Sequence, residues 1–155
     1  MKYILITGTK DAGKSTTIDA VCKRLNPSVV QRLTADRTFE KVDPTIDFLN
    51  GTYIIEIKGK IILVVAGAPT EQNIQITILI KICIELKIKI DFALVSKRTF
   101  ERIENFDTVN ELKNFGECLL EERINRVSED NFEESEEWKS RIEKICKLVK
   151  TTLQL

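Results

Sequence analysis

Histidine is absent from this chain of 155 residues, and the four cysteines lie far apart with no paired spacing. Protein zinc sites are built mainly from clustered cysteine and histidine side chains, so a zinc site lacks ligands here. We expect reduced cysteines packed inside a cytoplasmic protein, namely Cys22, Cys83, Cys118 and Cys146.

Net charge is also absent, because 24 lysine and arginine residues balance 24 aspartate and glutamate residues that are dispersed along the chain. This excludes a wide basic face, so we expect no nucleic-acid partner. The most hydrophobic stretch, residues 74–95, is interrupted by five charged residues and cannot span a membrane as an apolar helix. The first residues show no basic leader or apolar segment of a secretory signal, so we expect a cytoplasmic location and no membrane partner.

The length allows one domain with a single sizeable core, so we expect residues 1–155 to form one domain. The most specific feature of that domain is residues 8–15, which spell G-x-x-x-x-G-K-[S/T] in full. An apolar run at 3–6 precedes the motif as a strand, and 15–25 follow it with helical spacing. The predicted phosphate-binding residues are Gly8, Thr9, Lys10, Asp11, Ala12, Gly13, Lys14, Ser15 and Thr16.

The residue types of this motif fit the binding of a nucleoside triphosphate. Gly8 and Gly13 can take a positive φ, which lets the backbone close around a polyphosphate with its N–H groups inward. Lys14 supplies a point charge for the outer phosphates, and the hydroxyl of Ser15 is placed to hold Mg²⁺. The helix that follows turns its positive end toward the anion. The sequence therefore predicts ATP or GTP as ligand, with magnesium.

Beyond the motif, the elements alternate. Residues 28–50 are mixed and polar and predict a long loop or a partly ordered segment, and long loops in compact domains are often functional. Residues 52–57 and 60–65 flank Lys58-Gly59 as the strands of a β-hairpin, and the second strand is apolar enough to be central. Isoleucines alternate in 73–87 as in a strand, but polar residues recur there every fourth position, so we predict a helix. The later predictions are a strand at 88–95, a helix at 100–115, an edge strand at 118–127 and a last helix from about 128 to 152.

This order of elements resembles the Ras-like G domains of the P-loop NTPases over roughly residues 1–110. The resemblance implies a single P-loop nucleotide-binding domain of the α/β class. Its three-layer fold would hold a mostly parallel, five-stranded sheet with one antiparallel hairpin strand and helices on both faces.

The resemblance also implies roles for residues outside the motif. A threonine of the polar loop, Thr34, Thr38 or Thr45, would hold magnesium and the γ-phosphate, and we take Thr38. Gly67 would sense the γ-phosphate, and Arg32 or Arg37, of which we take Arg37, would add positive charge to the transition state. With Lys14 these make the predicted catalytic set Lys14, Arg37, Thr38 and Gly67, and the predicted metal ligands are Ser15 and Thr38.

The sequence departs from the family pattern at several positions. Val64 stands where the pattern has the magnesium aspartate, and Asp43, Asp47 or Glu71 is a candidate replacement. Ala68 stands where the water-positioning glutamine belongs. Glu71 and Gln72 follow closely, either as substitutes for it or as a polar cap on the next helix. No guanine-reading N-K-x-D follows the strand at 88–95, so guanine specificity is unsupported.

Three functions therefore compete. The first is a magnesium-dependent protein that binds a nucleoside triphosphate and either hydrolyses it slowly or switches residues 32–47 and 66–73 toward a protein partner. The second is a small-molecule or nucleotide kinase, in which Asp36 accepts the acceptor's proton and arginines hold its phosphate; these are Arg32, Arg37, Arg98 and Arg102. The third is a scaffold without catalysis, and residues 52–57 could pair with a second copy as a sheet edge.

Overall fold

The computed structural model describes residues 1–125 and 132–155. Its strands are β1 (Lys2–Gly8), β2 (Val29–Leu33), β3 (Phe39–Val42), β4 (Thr52–Ile57), β5 (Lys60–Val65), β6 (Phe92–Arg98) and β7 (Glu117–Arg123). Its helices are α1 (Lys14–Leu25), α2 (Pro69–Gln72), α3 (Ile76–Glu85), α4 (Thr108–Leu112) and α5 (Glu136–Leu153), with a 3-10 turn at Phe132–Glu134 before α5.

All seven strands belong to one mixed sheet in the order β3-β2-β4-β5-β6-β1-β7. The pairs β2·β3, β2·β4 and β4·β5 are antiparallel, whereas β5·β6, β6·β1 and β1·β7 are parallel. The predicted five-stranded, mostly parallel sheet with one antiparallel strand is therefore wrong. The strand order is also not that of the P-loop NTPase fold that the resemblance implied.

The two unpredicted strands, β2 and β3, come from the polar segment 28–50. Val30 is the single fully buried residue in this hairpin, and the other apolar side chains are only partly covered. A strand near a sheet edge needs few apolar residues, so its alternation is weak in the sequence. The backbone pairing of β2 with β4 holds the hairpin in place, and the prediction of a long loop is wrong.

The hairpin of β4 and β5 is confirmed, and its turn has the expected chemistry. Lys58 and Gly59 take φ values of 49° and 80°, and a two-residue hairpin turn with two positive φ values matches the twist of the strands. Strand β5 is central, as predicted. Strand β4 is not an edge, because β2 pairs with its other side, so the predicted pairing with a second copy at 52–57 has no free edge there.

Two hydrophobic layers cover the sheet. Helices α1 and α5 pack on one face, where Ile18 and Ile145 meet Ile4 and Leu94. Helices α3 and α4 cover the other face with Leu79 and Leu112. The predicted apolar face of the last helix is confirmed, since its residues are all buried: Trp138, Ile142, Ile145, Val149 and Leu153.

The helix predicted at 73–87 is confirmed as α3, and the predicted edge strand is confirmed as β7. The helix predicted at 100–115 is mostly wrong, because only Thr108–Leu112 is helical. The strand predicted at 88–95 is shifted to Phe92–Arg98. The predicted end of the edge strand at Val127 and the predicted start of the last helix near 128 lie outside the described residues.

All four cysteines are free thiols, and three of them, Cys22, Cys83 and Cys146, are buried. Cys118 is exposed on β7, so the prediction that all four are packed fails for that residue. Burial raises the pKa of Cys83 to about 12, which keeps this thiol protonated and inert. Within the described ranges, no helix is both long and apolar enough to cross a membrane.

Candidate functional site

The phosphate-binding motif forms the connection between β1 and α1, so the predicted strand, loop and helix are confirmed. The loop closes on itself, because the N–H of Ala12 donates to the carbonyl of Thr9 at 3.2 Å. Gly13 caps α1 with a left-handed φ of 97°, where a side chain would be strained. Gly8 does not take a positive φ; its role is close approach, since an added Cβ would lie 3.0 Å from the Cβ of Ala12.

A cavity of about 820 Å³ opens above this loop. This volume is within the range of roughly 300–1,000 Å³ typical of small-molecule sites. Its lining residues come from the loop, the segment before β4, helix α2 and the end of β6: Lys10, Asp11, Gly13, Lys14, Ser15, Thr16, Leu49, Asn50, Glu71 and Arg98.

Lys14 is the most enclosed cation of the cavity, with only 5% of its side chain exposed. Its ammonium donates to the carbonyl of Thr9 at 2.8 Å and lies 3.6 Å from Oε1 of Glu71. Burial lowers the pKa of Lys14 from its ordinary value, Glu71 opposes this, and Arg98 adds to it. The ammonium is thus enclosed by the loop, and the attraction of Glu71 offsets only part of the effect of burial on its pKa.

Arg98 reaches the cavity from β6, because β6 lies directly beside β1 and Arg98 pairs in register with Gly8. Nη1 of Arg98 lies 3.5 Å from the same Oε1 atom of Glu71 that faces Lys14. One carboxylate on α2 therefore stands between two cations. An incoming phosphate would meet both cations and would compete with Glu71 for them.

The start of α1 carries no compensating negative group. The helix has no side-chain cap and no acidic residue in its first turn, so its N–H groups and positive dipole end are available to an anion. The hydroxyl of Ser15 donates to the carbonyl of Ala66 at 2.9 Å, which leaves the oxygen lone pairs for another partner.

The hydroxyl oxygen of Ser15 would suit a magnesium ion that is shared with phosphates. The described residues contain no group of three or more histidine, cysteine, aspartate or glutamate side chains able to hold a metal alone. Magnesium commonly keeps several waters and takes one or two protein ligands besides phosphate oxygens. Ser15 and Glu71 both line the cavity and would provide that number of oxygen ligands.

A buried arginine of α5 lies behind the loop. Nη1 of Arg141 donates to the hydroxyl of Thr17 at 3.3 Å and would lie 4.0 Å from a Cβ built on Gly13. The guanidinium stacks over the ring of Trp138, and its ion pair is with the exposed Glu137. Burial lowers the pKa of Arg141, and its charge adds to the positive potential at the loop.

Comparison of this chain with protein-family models, with curated proteins and with solved structures gave no match. The site is therefore interpreted from its own geometry.

The structure does not bring Thr38 and Arg37 to the cavity. Both lie exposed in the turn between β2 and β3, where the hydroxyls of Thr34 and Thr38 are hydrogen bonded to each other at 2.9 Å. The turn is at the same end of the sheet as the phosphate loop, but β2 is four strands from β1. At about 4.8 Å per strand, this separation is roughly 19 Å. Thr45 is bound to Asp43 in a separate turn.

Gly67 and Gln72 are engaged in packing beside the cavity. The N–H of Gly67 donates to the carbonyl of Gly51 at 3.2 Å. The amide nitrogen of Gln72 donates to the carbonyls of Gly51 and Gly67, and its oxygen accepts from Thr52. Of the two residues considered as a replacement for the water-positioning glutamine, Gln72 is committed to these partners and Glu71 faces the cavity.

Of the three carboxylates considered as magnesium ligands, two do not line the cavity. Asp43 accepts from the backbone and hydroxyl of Thr45, and Asp47 is ion-paired with Lys23. Glu71 alone of the three lines the cavity.

The sequence did not predict that Arg98, Leu49, Asn50 and Arg141 lie near this loop. Arg98 was considered only as an acceptor-binding arginine of a kinase, and the signal for its position is the strand order, which the sequence does not show. Arg141 lies three residues after Trp138 on the predicted apolar face of the last helix. A charged residue at a helix position that faces the core was the available signal.

A phosphate ligand bound beside Lys14 should bring uptake of a proton at alkaline pH. The pKa of Lys14 in the free protein is below its ordinary value of 10.5, and a bound phosphate would raise it. Between these two pKa values binding protonates the amine, so affinity falls as pH rises through the lower one. Calorimetric titration in two buffers of different ionisation enthalpy should show proton uptake that grows as the pH is raised from neutrality toward the ordinary lysine value of 10.5. Proton release over this range would contradict the assignment of Lys14.

Proposed function

We propose that this chain binds a nucleoside triphosphate, ATP or GTP, with magnesium, and hydrolyses it slowly. The observation that carries the proposal is the convergence of two cations, the nearly buried Lys14 and Arg98, on one cavity above a complete phosphate-binding motif. The proposal covers both nucleotides, because the groups that carry it would contact phosphate and not the base.

The protein groups have separable tasks in this proposal. Lys14 and Arg98 hold the outer phosphates, and the free N–H groups at the start of α1 hold the inner ones. Ser15 and Glu71 would hold magnesium, which when bound neutralises charge on the β- and γ-phosphate oxygens. Arg141, which is not among the residues that line the cavity, would strengthen the positive field at the loop.

Slow turnover is expected because the described residues offer little to orient a water molecule. Ala68 has no polar side chain, Gln72 is committed to Gly51, Gly67 and Thr52, and Glu71 is assigned to magnesium in this proposal. Phosphoryl transfer depends on positioning and charge stabilisation together. Charge stabilisation without a positioned water predicts a rate far below the median of about 10 s⁻¹ for enzymes.

Glu71→Gln tests the magnesium ligand. The substitution removes the anion that competes with phosphate for Lys14 and Arg98, so affinity for magnesium-free ATP should rise. It also removes a magnesium ligand, so the gain in affinity that magnesium gives should fall by about tenfold, equivalent to roughly 1.4 kcal/mol. Titration of ATP with magnesium and with a chelator measures both quantities.

The matched control is Glu85→Gln, at an exposed position on α3 outside the residues that line the cavity. It should change neither affinity. Equal magnesium dependence in Glu71→Gln and the native chain would remove Glu71 from the metal site and leave Ser15, phosphates and water as its ligands.

A further inference from the structure

A second, smaller cavity adjoins the cavity of about 820 Å³ above the loop, which we call the phosphate cavity. Its volume is about 190 Å³, and it shares Glu71 and Arg98 with the larger cavity. The other lining residues come from α2 and from the segment after β6: Thr70, Phe100, Arg102 and Ile103. The two cavities therefore meet at the ion pair of Glu71 and Arg98.

Apolar side chains are exposed on this second cavity. Phe100 is 68% exposed and Ile103 is 39% exposed, although both belong to a segment with fixed contacts. The carboxylate of Glu101 accepts from the backbone N–H of Thr108 at 2.8 Å and from its hydroxyl. The carbonyl of Asn105 accepts from the side chain of Gln75. The segment is thus tied to α3 and α4 and presents its aromatic ring to solvent beside the cavity.

Positive charge accompanies the apolar side chains. Arg102 is exposed and forms no ion pair with the carboxylates of residues 1–125 and 132–155. Arg98 shares its carboxylate partner with Lys14. Two guanidinium groups line this one small cavity, and arginine binds a phosphate monoester through paired hydrogen bonds.

The position of the second cavity relative to the phosphates follows from the loop. The lysine of this motif reaches the outer phosphates, and the start of the helix holds the inner ones. Glu71 and Arg98 lie beside Lys14, so the second cavity is on the side of the terminal phosphate. A molecule held there would lie next to the phosphate that is transferred or released.

We propose that the second cavity binds a small phosphate monoester that carries an apolar group, as a second ligand beside the nucleotide. Arg102 holds its phosphate, Arg98 is shared between this phosphate and the terminal phosphate of the nucleotide, and Phe100 and Ile103 pack against its apolar group. The position of this ligand next to the terminal phosphate rests on the proposed function. It narrows the second ligand to a small molecule, because the cavity holds about 190 Å³.

Phenyl phosphate is a suitable probe, titrated into protein saturated with magnesium and a non-hydrolysable ATP analogue. Arg102→Gln and Phe100→Ala should each weaken phenyl phosphate binding about tenfold, in the range for a charged hydrogen bond or an aromatic contact. Both should leave affinity for the analogue within about twofold. The control is Arg123→Gln, whose side chain is 82% exposed on β7, on the other side of β1.

Three results would overturn the subsite. These are unchanged phenyl phosphate affinity in Arg102→Gln, affinity no higher than that of inorganic phosphate, and competition between phenyl phosphate and the analogue. Failure of the analogue to bind would count against the proposed function alone. In that case the same titration without analogue decides the subsite, because dependence on Arg102 and Phe100 supports it and independence of both removes it.

Discussion

Lys14→Met should weaken ATP binding by on the order of 100-fold, the upper range for a lost hydrogen bond between charged groups. The methionine keeps most of the buried stem and removes the ammonium that faces Glu71 at 3.6 Å. The site then retains Glu71 with Arg98 as its neighbouring cation, so repulsion of the phosphate adds to the lost attraction. Calorimetric or fluorescence titration with magnesium-ATP measures the change.

The fold should persist in this variant, because the Lys14 ammonium makes one hydrogen bond, to Thr9, and its burial already disfavours the charge. Circular dichroism and the unfolding midpoint check this. Lys89→Met, at an exposed position away from the phosphate cavity, is the matched control and should bind ATP as the native chain does. Native affinity in Lys14→Met would show that ATP binds elsewhere or through the backbone alone.

Phe48→Ala should lower the free energy of unfolding by about 3–5 kcal/mol, the usual range for a buried phenylalanine. Phe48 is fully buried, its ring centroid is 5.0 Å from that of Tyr53, and its N–H donates to Asp19 at 2.7 Å. The next two residues, Leu49 and Asn50, line the phosphate cavity. Loss of the phenylalanine would therefore also loosen one wall of the cavity and weaken ATP binding.

Denaturant unfolding with linear extrapolation measures the first effect, and titration with ATP below the unfolding transition measures the second. Leu49→Ala is the matched control, because Leu49 is 41% exposed and should lose less than about 1 kcal/mol. A loss in Phe48→Ala as small as that of Leu49→Ala would contradict the assigned packing of the segment before β4.

The parts of the fold that sequence predicted have dense local signals. The apolar strands β1 and β5, the turn at Lys58 and Gly59, and helix α3 each follow from residues within the element itself. Strands β2 and β3 were missed because Val30 is their one fully buried residue, and their pairing with β4 is a contact between distant segments. The helix expected after β6 was wrong because Glu101 binds Thr108 and α4 begins only there.

The fold that the resemblance implied was wrong for a related reason. The order of elements along a chain does not determine their order in the sheet, and β6 lies between β5 and β1. The same insertion brings Arg98 beside Gly8. The loop between β1 and α1 is contiguous in the chain, so its position could be predicted from sequence. Glu71 could be named from sequence as one of three candidate magnesium ligands, but the positions of Arg98 and Arg141 at the loop could not be predicted, since they depend on the tertiary arrangement.

The most direct test of nucleotide binding is a titration of the native chain with ATP and with GTP, each with magnesium, in which affinity and phosphate release are followed together. We expect saturable binding of at least one nucleotide, phosphate release far slower than about 10 s⁻¹, and binding weaker by on the order of 100-fold in Lys14→Met. If neither nucleotide binds, the proposed function is contradicted.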